Sequence, residues 1–183
     1  IMLKSSFGIL CLALFIRLTF SITEGTAVQN FDESILKWVE TLRTPFMNSM
    51  MLDITALGGL ALTFVLGLLA VTIFLLAKDP AAAMHLIITA TGGFFISSWT
   101  KNIISRPRPS IIPQLIHAQG FSYPSGHSIT SAAIYLTMAI LACRHFKTIP
   151  TRVTLLILAG IMIALISFSR IYLGVHYPSD TMS

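Results

Sequence analysis

The sequence predicts an all-α, polytopic bundle of membrane-spanning helices, and three observations predict it. Only 10% of the 183 residues are charged while 55% are hydrophobic, where a soluble domain carries roughly 25% charged residues. Mean hydropathy is +0.82. Five apolar runs recur along the chain, at 6–23, 54–77, 80–100, 128–143 and 153–169, most of them near the ~20 residues a helix needs to cross a bilayer. Inside lipid each backbone polar group must find its partner within the protein, which favours helices.

Taken in order, the run at 6–23 is interrupted by Arg17. Lys4 would suit the basic start of a signal peptide, but Arg17 and the lack of a small-x-small site before Glu24 favour an uncleaved helix. Arg17 must then face other helices or snorkel, since a central arginine costs roughly 3 kcal/mol on insertion. Over 31–51, Ile35, Leu36, Val39, Leu42 and Phe46 recur at helical spacing, with Asp32, Glu33, Lys37, Glu40 and Arg43 between them. That pattern predicts an amphipathic helix, at the membrane surface or packed on the bundle. The run at 54–77 has no charge, and that at 80–100 has only His85 as a notable polar residue. The last two runs are short, so flanking residues must complete them. Cys11 and Cys143 lie in or beside apolar runs and are read as small hydrophobes. Pro178-Ser179-Asp180 resembles the start of a sixth span, so the chain is read as a single domain, 1–183, truncated at its C-terminus.

Orientation follows from the turns. Lys78 sits in one, and Arg144, Lys147 and Arg152 in another, which places both on the cytoplasmic side. Alternation then puts 24–53, 101–127 and 170–180 together on the opposite face. That face should be poor in cations, yet Lys101, Arg106, Arg108 and Arg170 fall there. At about 4 Å and an effective dielectric of 20, each like-charge pair costs on the order of 4 kcal/mol. An anionic ligand reverses that sign, and a guanidinium fork suits phosphate.

Three stretches carry the candidate chemistry. In the first, Lys101 and Arg108 are seven residues apart, two helical turns, and a continuing helix would point them the same way; Pro107 and Pro109 then end it. In the second, Tyr123-Pro124-Ser125-Gly126-His127 makes a tight turn into a helix, with Ser125 as its cap. The free N–H groups there form an anion site and put His127 where a general acid belongs. In the third, His176 and Asp180 are four apart, so the carboxylate can fix the imidazole tautomer and raise the basicity of its other nitrogen. Singly, these are an anchor, a cap and a surface hydrogen bond; their coincidence on one face gives them weight. His85, His117 and His145 show no partner pattern, and no metal-ligand set is apparent.

These residues resemble the signature of the type-2 phosphatidic acid phosphatase superfamily: Lys-x6-Arg-Pro at Lys101 to Pro109, Pro-Ser-Gly-His at Pro124 to His127, and Ser-Arg-x5-His-x3-Asp at Ser169 to Asp180. The resemblance implies a six-span helical core in which His176 attacks phosphorus, Asp180 orients it and His127 protonates the leaving oxygen. It implies that Lys101, Arg108, Ser125, Gly126 and Arg170 hold the phosphoryl oxygens, with no cofactor and no metal. Arg106 and Tyr123 lie beside the signature and are read as supporting residues. Vanadium haloperoxidases share the residue types, but five apolar runs disfavour a soluble enzyme. The expected substrate is a membrane lipid phosphate, first undecaprenyl pyrophosphate, with the bilayer and no nucleic acid as partners. The expected location is a bacterial inner membrane, with the site on the extracytoplasmic face. A phosphate-lipid carrier without catalysis is the alternative, though a carrier has little use for two histidines and an aspartate.

Overall fold

The computed structural model describes residues 13–17, 19–22 and 25–182. The helices are α1 (Ala13–Ile22), α2 (Thr26–Thr41), α3 (Pro45–Leu57), α4 (Leu60–Leu76), α5 (Pro80–Ile104), α6 (Gly126–Ala142), α7 (Ile149–Tyr172) and α8 (Pro178–Thr181). No strand occurs among the described residues. Their starts follow local chemistry. Pro45 and Pro80 open α3 and α5, where a missing N–H costs nothing. Thr44 accepts from the Met47 N–H at 3.2 Å and Asp79 from the Ala82 N–H at 2.9 Å.

α5 and α7 are each long and apolar enough to cross a membrane, and α3 with α4 forms a third candidate span bent by 43°. α1 and α6 are shorter apolar helices, and α6 carries a π-helical turn at Ala132–Leu136. α6 packs between α5 and α7, α4 against α5, and α3 against α7. Phe64, Leu68, Phe95, Trp99 and Ile157 point outward and are exposed, as side chains facing lipid would be. The run predicted over 153–169 extends at both ends to Ile149–Tyr172, and the one over 80–100 to Ile104. Residues 6–12 of the first predicted span, Cys11 among them, lie outside the described residues; Arg17 is exposed on α1.

Two expectations are corrected. The single amphipathic helix over 31–51 is two helices, because Thr44-Pro45 ends one and caps the next. The uninterrupted run at 54–77 is broken at Gly58–Gly59. A side chain at Gly58 could not be accommodated: its Cβ would stand 2.4 Å from Ile166 Cγ2, 2.9 Å from Ser131 Oγ and 3.4 Å from His127 Cδ2. Tyr135 satisfies the carbonyl of Leu57 at the break, donating to it at 2.7 Å.

α2 lies across the end of the bundle against α7 and α8. Leu36 and Val39 join Met51, Ile112, Tyr172 and Val175 in a buried cluster. Arg43 locks this layer, donating to the carbonyls of Tyr172 at 2.8 Å and Pro113 at 2.8 Å. Gly174 makes the turn after α7 at φ +75°, with Pro113 O only 2.9 Å from where a Cβ would be.

The Gly58 contact is testable. Gly58→Val forces Ile166 and His127 apart and should destabilise the protein by about 1–3 kcal/mol, the usual cost of overpacking. A thermal melt in detergent matching the parent's would show that the close approach is not required.

Candidate active site

The ends of α5 and α7, the start of α6 and the segment leading to α8 converge at one end of the bundle. α5 stops at Ile104 because Ser105 turns left-handed, at φ 48°. The chain then folds back, with the Ser122 N–H on Arg106 O at 2.8 Å and the Ser125 N–H on Asp180 O at 2.9 Å. Arg108 therefore lies beyond the helix that carries Lys101, and the shared helical face expected for the pair does not exist. They meet through the fold instead. Arg108 donates to Gln119 O at 2.8 Å, Gly120 O at 3.0 Å and Val175 O at 2.7 Å, which aims its guanidinium at His176.

His176 is 2% exposed. Its Nε2 lies 3.2 Å from Arg108 Nη1. Arginine only donates, so Nε2 is the acceptor and the neutral ring carries its proton on Nδ1. That proton faces Asp180 Oδ2, 3.5 Å away, which is long for a hydrogen bond but well placed to orient the ring. Burial, with smaller contributions from Arg170 and Arg108, outweighs Asp180 and pushes the His176 pKa down to about 4. The result is a neutral imidazole whose basic nitrogen is directed away from its carboxylate, toward cations: the arrangement of a nucleophile for an anionic centre.

Asp180 is held on every side. Arg106 Nη1 donates to Oδ1 at 2.6 Å, and the Tyr177 N–H donates to Oδ2 at 2.8 Å. The Ser122 hydroxyl makes a short bond to Oδ2. Arg106 reaches back with Nη2 to Asp32 Oδ2 at 2.8 Å, and its guanidinium stacks 4.0 Å from the Tyr177 ring centroid. Burial works against its charge, but Asp180 and Asp32 outweigh burial and hold its pKa above the ordinary arginine value.

On the other side, Ser125 caps α6, with the Ser128 N–H 3.5 Å from its hydroxyl, and Gly126 and His127 follow in the first turn. His127 lines a pocket of about 190 Å³ with Gly58, Ser97, Lys101 and Gly126. The charges of Arg170, Arg108 and Lys101 act on its ring. Lys101 Nζ donates to Phe121 O at 2.8 Å. Arg170 Nη1 donates to Thr55 Oγ1 at 2.8 Å, while its buried Nε has no hydrogen-bond partner. Among the described residues, the hydrogen bonds of Lys101, Arg108 and Arg170 run to carbonyls, a histidine and a threonine and not to carboxylates, which suits this end of the bundle to an anion.

All eight expected site residues thus gather at one end of the bundle; His85 and His145 are exposed away from it, and His117 is exposed on the loop after α5. Among the described residues no cluster of three His, Cys, Asp or Glu side chains could hold a metal. Tyr123 is buried, joined to Pro124 by a cis peptide, and its hydroxyl lies 2.7 Å from Thr19 Oγ1. The sequence reading missed Asp32, Ser122, Ser179 and Thr55. Asp32 had a readable signal: it shares one helical face with the apolar Leu36 and Val39.

A bundle of apolar helices with two histidines and three cations gathered at its helix ends is suited to a phosphate group at a membrane. Residues 82–183 match the PAP2 superfamily. Phosphatidylglycerophosphatase B of Bacillus subtilis (strain 168) is 33% identical over 175 residues, covering 93% of this chain and 84% of that protein. The crystal structure of a transmembrane PAP2 type phosphatidylglycerolphosphate phosphatase from Bacillus subtilis matches with a TM-score of 0.85 at 30% identity, over 94% of this chain and 86% of that one. LpxE of Aquifex aeolicus shares the fold, with a TM-score of 0.62 at 22% identity, over 81% and 84% of the two chains. The chain belongs to the PAP2 superfamily, and within it to the membrane lipid phosphatases.

The His176 environment makes a titration prediction. With its folded pKa near 4 and an ordinary value of 6.5, the folded protein binds fewer protons here than the unfolded chain between those values. This group's contribution to stability therefore rises with pH across the window and is lost as pH falls from 6.5 toward 4. In ¹⁵N-histidine NMR, the signal that His176→Ala removes should report a neutral, Nδ1-protonated ring at pH 6. A charged ring at that pH would contradict the burial argument.

Proposed function

We propose that the protein hydrolyses a phosphomonoester or pyrophosphate of a membrane lipid through a phosphohistidine, without a metal. His176 Nε2 attacks the terminal phosphorus, forming a P–N bond as the P–O bond to the leaving group breaks, and His127 gives its proton to the leaving oxygen. Water then attacks the phosphohistidine; His127 takes a proton from that water, and inorganic phosphate leaves. Asp180 holds His176 in its Nδ1-protonated form. Lys101, Arg108, Arg170, the Ser125 turn and the Gly126 N–H stabilise the charge that builds on the phosphoryl oxygens. Support comes from a neutral, oriented histidine at the same end of the bundle as three cations that make no carboxylate hydrogen bond among the described residues.

The observation that carries the lipid reading is a second cavity, of about 460 Å³, between α4, α5 and α6. Its walls are almost wholly apolar, and it shares Leu60, Phe94 and Thr130 with the smaller pocket that holds Lys101 and His127. A phosphate at the histidines and an aliphatic chain in the groove would belong to one molecule. The first candidate is phosphatidylglycerophosphate, the compound in the name of the B. subtilis relative that aligns with 93% of the chain. Undecaprenyl pyrophosphate is the second. Arg144, Lys147 and Arg152 lie at the far end of α6 and α7 from the site. The positive-inside rule therefore supports an extracytoplasmic active site in a bacterial inner membrane.

The test is phosphate release in detergent from each of the two lipids. His127→Ala should lower kcat by about 10²–10⁴-fold, the range for a lost general acid, and His176→Ala should abolish turnover. Vanadate, which mimics the five-coordinate transition state, should inhibit. Turnover should survive EDTA; loss on chelation with recovery on adding a divalent ion would overturn the metal-free route. Tight lipid binding without release would favour a carrier.

A further inference from the structure

We propose that Asp32 is a positioning residue for phosphoryl transfer, acting through Arg106 and Ser179 to hold Asp180 behind His176. The inference rests on the reading of His176 as nucleophile and extends the site to α2, a helix that precedes the residues 82–183 matched to the PAP2 superfamily.

Asp32 is fully buried on an amphipathic helix whose other acidic residues, Glu33 and Glu40, are not. A carboxylate in that position has to be used by something. Its Oδ2 accepts from Arg106 Nη2 at 2.8 Å and from Ser179 Oγ at 2.5 Å, and its Oδ1 accepts from the Ser179 N–H at 3.0 Å. Ser179 immediately precedes Asp180, so Asp32 fixes the turn of backbone that carries it. Arg106 closes the loop, with Nη1 on both Ser179 Oγ at 2.8 Å and Asp180 Oδ1 at 2.6 Å. Asp180 is thus gripped from its side chain and its backbone by one buried unit rooted in α2.

Charge makes the second half of the argument. One guanidinium stands between two carboxylates at nearly equal distances, 2.6 Å and 2.8 Å. Two carboxylates and one guanidinium leave the unit one net negative charge, and Asp180 remains an effective acceptor for the His176 ring. In Asp32→Asn, Arg106 would direct its whole charge at Asp180. The carboxylate would then do less to keep the imidazole in its Nδ1-protonated form and to stabilise the positive charge that the ring gains as Nε2 bonds to phosphorus. Substrate binding involves none of these atoms, so the loss should fall on kcat and not on KM.

The test is a double-mutant cycle on the full chain in detergent, with kcat and KM measured against phosphatidylglycerophosphate and folding followed by thermal melting. Asp32→Asn, nearly isosteric, should lower kcat by about 10- to 100-fold, the range seen when an outer-shell partner is lost, with KM changed less than about threefold. Arg106→Lys keeps the charge but loses the two-sided fork, and should lower kcat similarly. The double variant should lose little more than the worse single one, because both changes break one unit. Glu40→Gln, which removes an exposed carboxylate from the same helix, should match the parent. A folded Asp32→Asn protein with parental kcat overturns the inference, as does a double variant whose losses multiply. If Asp32→Asn does not fold, Arg106→Lys decides: parental kcat in that folded variant overturns it. Absence of turnover in the parent, or turnover that survives His176→Ala, would instead overturn the reading of His176 on which this one rests.

Discussion

The active end of this protein is organised around a guanidinium that water scarcely reaches. Arg106 bridges Asp32 and Asp180, each 74 positions away along the chain. Buried ion pairs rarely stabilise a fold more than apolar packing would, yet removing one partner costs about 3–5 kcal/mol, because a buried charge is left alone. Such a unit adds little stability but makes every other pairing of these segments costly. It therefore selects one docking of α2 on the loop after α5 and on the segment that begins α8. The apolar cluster of Leu36, Val39, Tyr172 and Val175 supplies adhesion in the same layer, but apolar contact is tolerant of small shifts. The ion network is not, and Asp180 inherits its precision.

Around that negative unit stand Lys101, Arg108 and Arg170, none of which hydrogen-bonds to a carboxylate among the described residues. Helix polarity reduces what this costs. Lys101 lies in the last turn of α5 and Arg170 in the last turn of α7, where the negative ends of the helix dipoles favour cations. Between them, α6 runs the other way and presents its N-terminus, whose free N–H groups favour an anion. Up-down-up packing of three neighbouring helices thus puts two cation-holding ends and one anion-binding end at the same level. The site is a consequence of alternation as much as of the signature residues.

This bears on how far the sequence could be read. The apolar helices, their order and the gathering of Lys101, His127, Arg170 and His176 were legible, because alternation dictates which ends share a face; the five expected spans were not, since among the described residues two helices are long and apolar enough to cross, or three with the bent pair. The roles of single residues were less so. Lys101 and Arg108 meet as expected, but for a different reason: Ser105 ends the helix, and backbone carbonyls of 119, 120 and 175 aim the arginine. Arg106 lies beside the signature, and its importance depends on a carboxylate 74 residues earlier that sequence distance hides. Asp32 was grouped with the polar face of its helix although its position matches the apolar one. A charge on an apolar face is the kind of local inconsistency that marks a functional position.

The break at Gly58–Gly59 joins the chemistry to the membrane. Hydropathy alone reads 54–77 as one uniform span, since glycine barely interrupts an apolar average. Bending it by 43° at this point lets α3 continue toward Thr55, which holds Arg170, while α4 diverges along α5. Gly58 and Leu60, on either side of the break, both line the small pocket at His127, and Leu60 continues into the wall of the apolar groove. A straight helix could not reach both Arg170 and the wall of the apolar groove. The break resolves that conflict, and it does so where a Cβ would collide with Ile166 and crowd His127. Gly58, the first of the two glycines at the bend, therefore also sets how closely His127 approaches the wall that continues into the apolar groove.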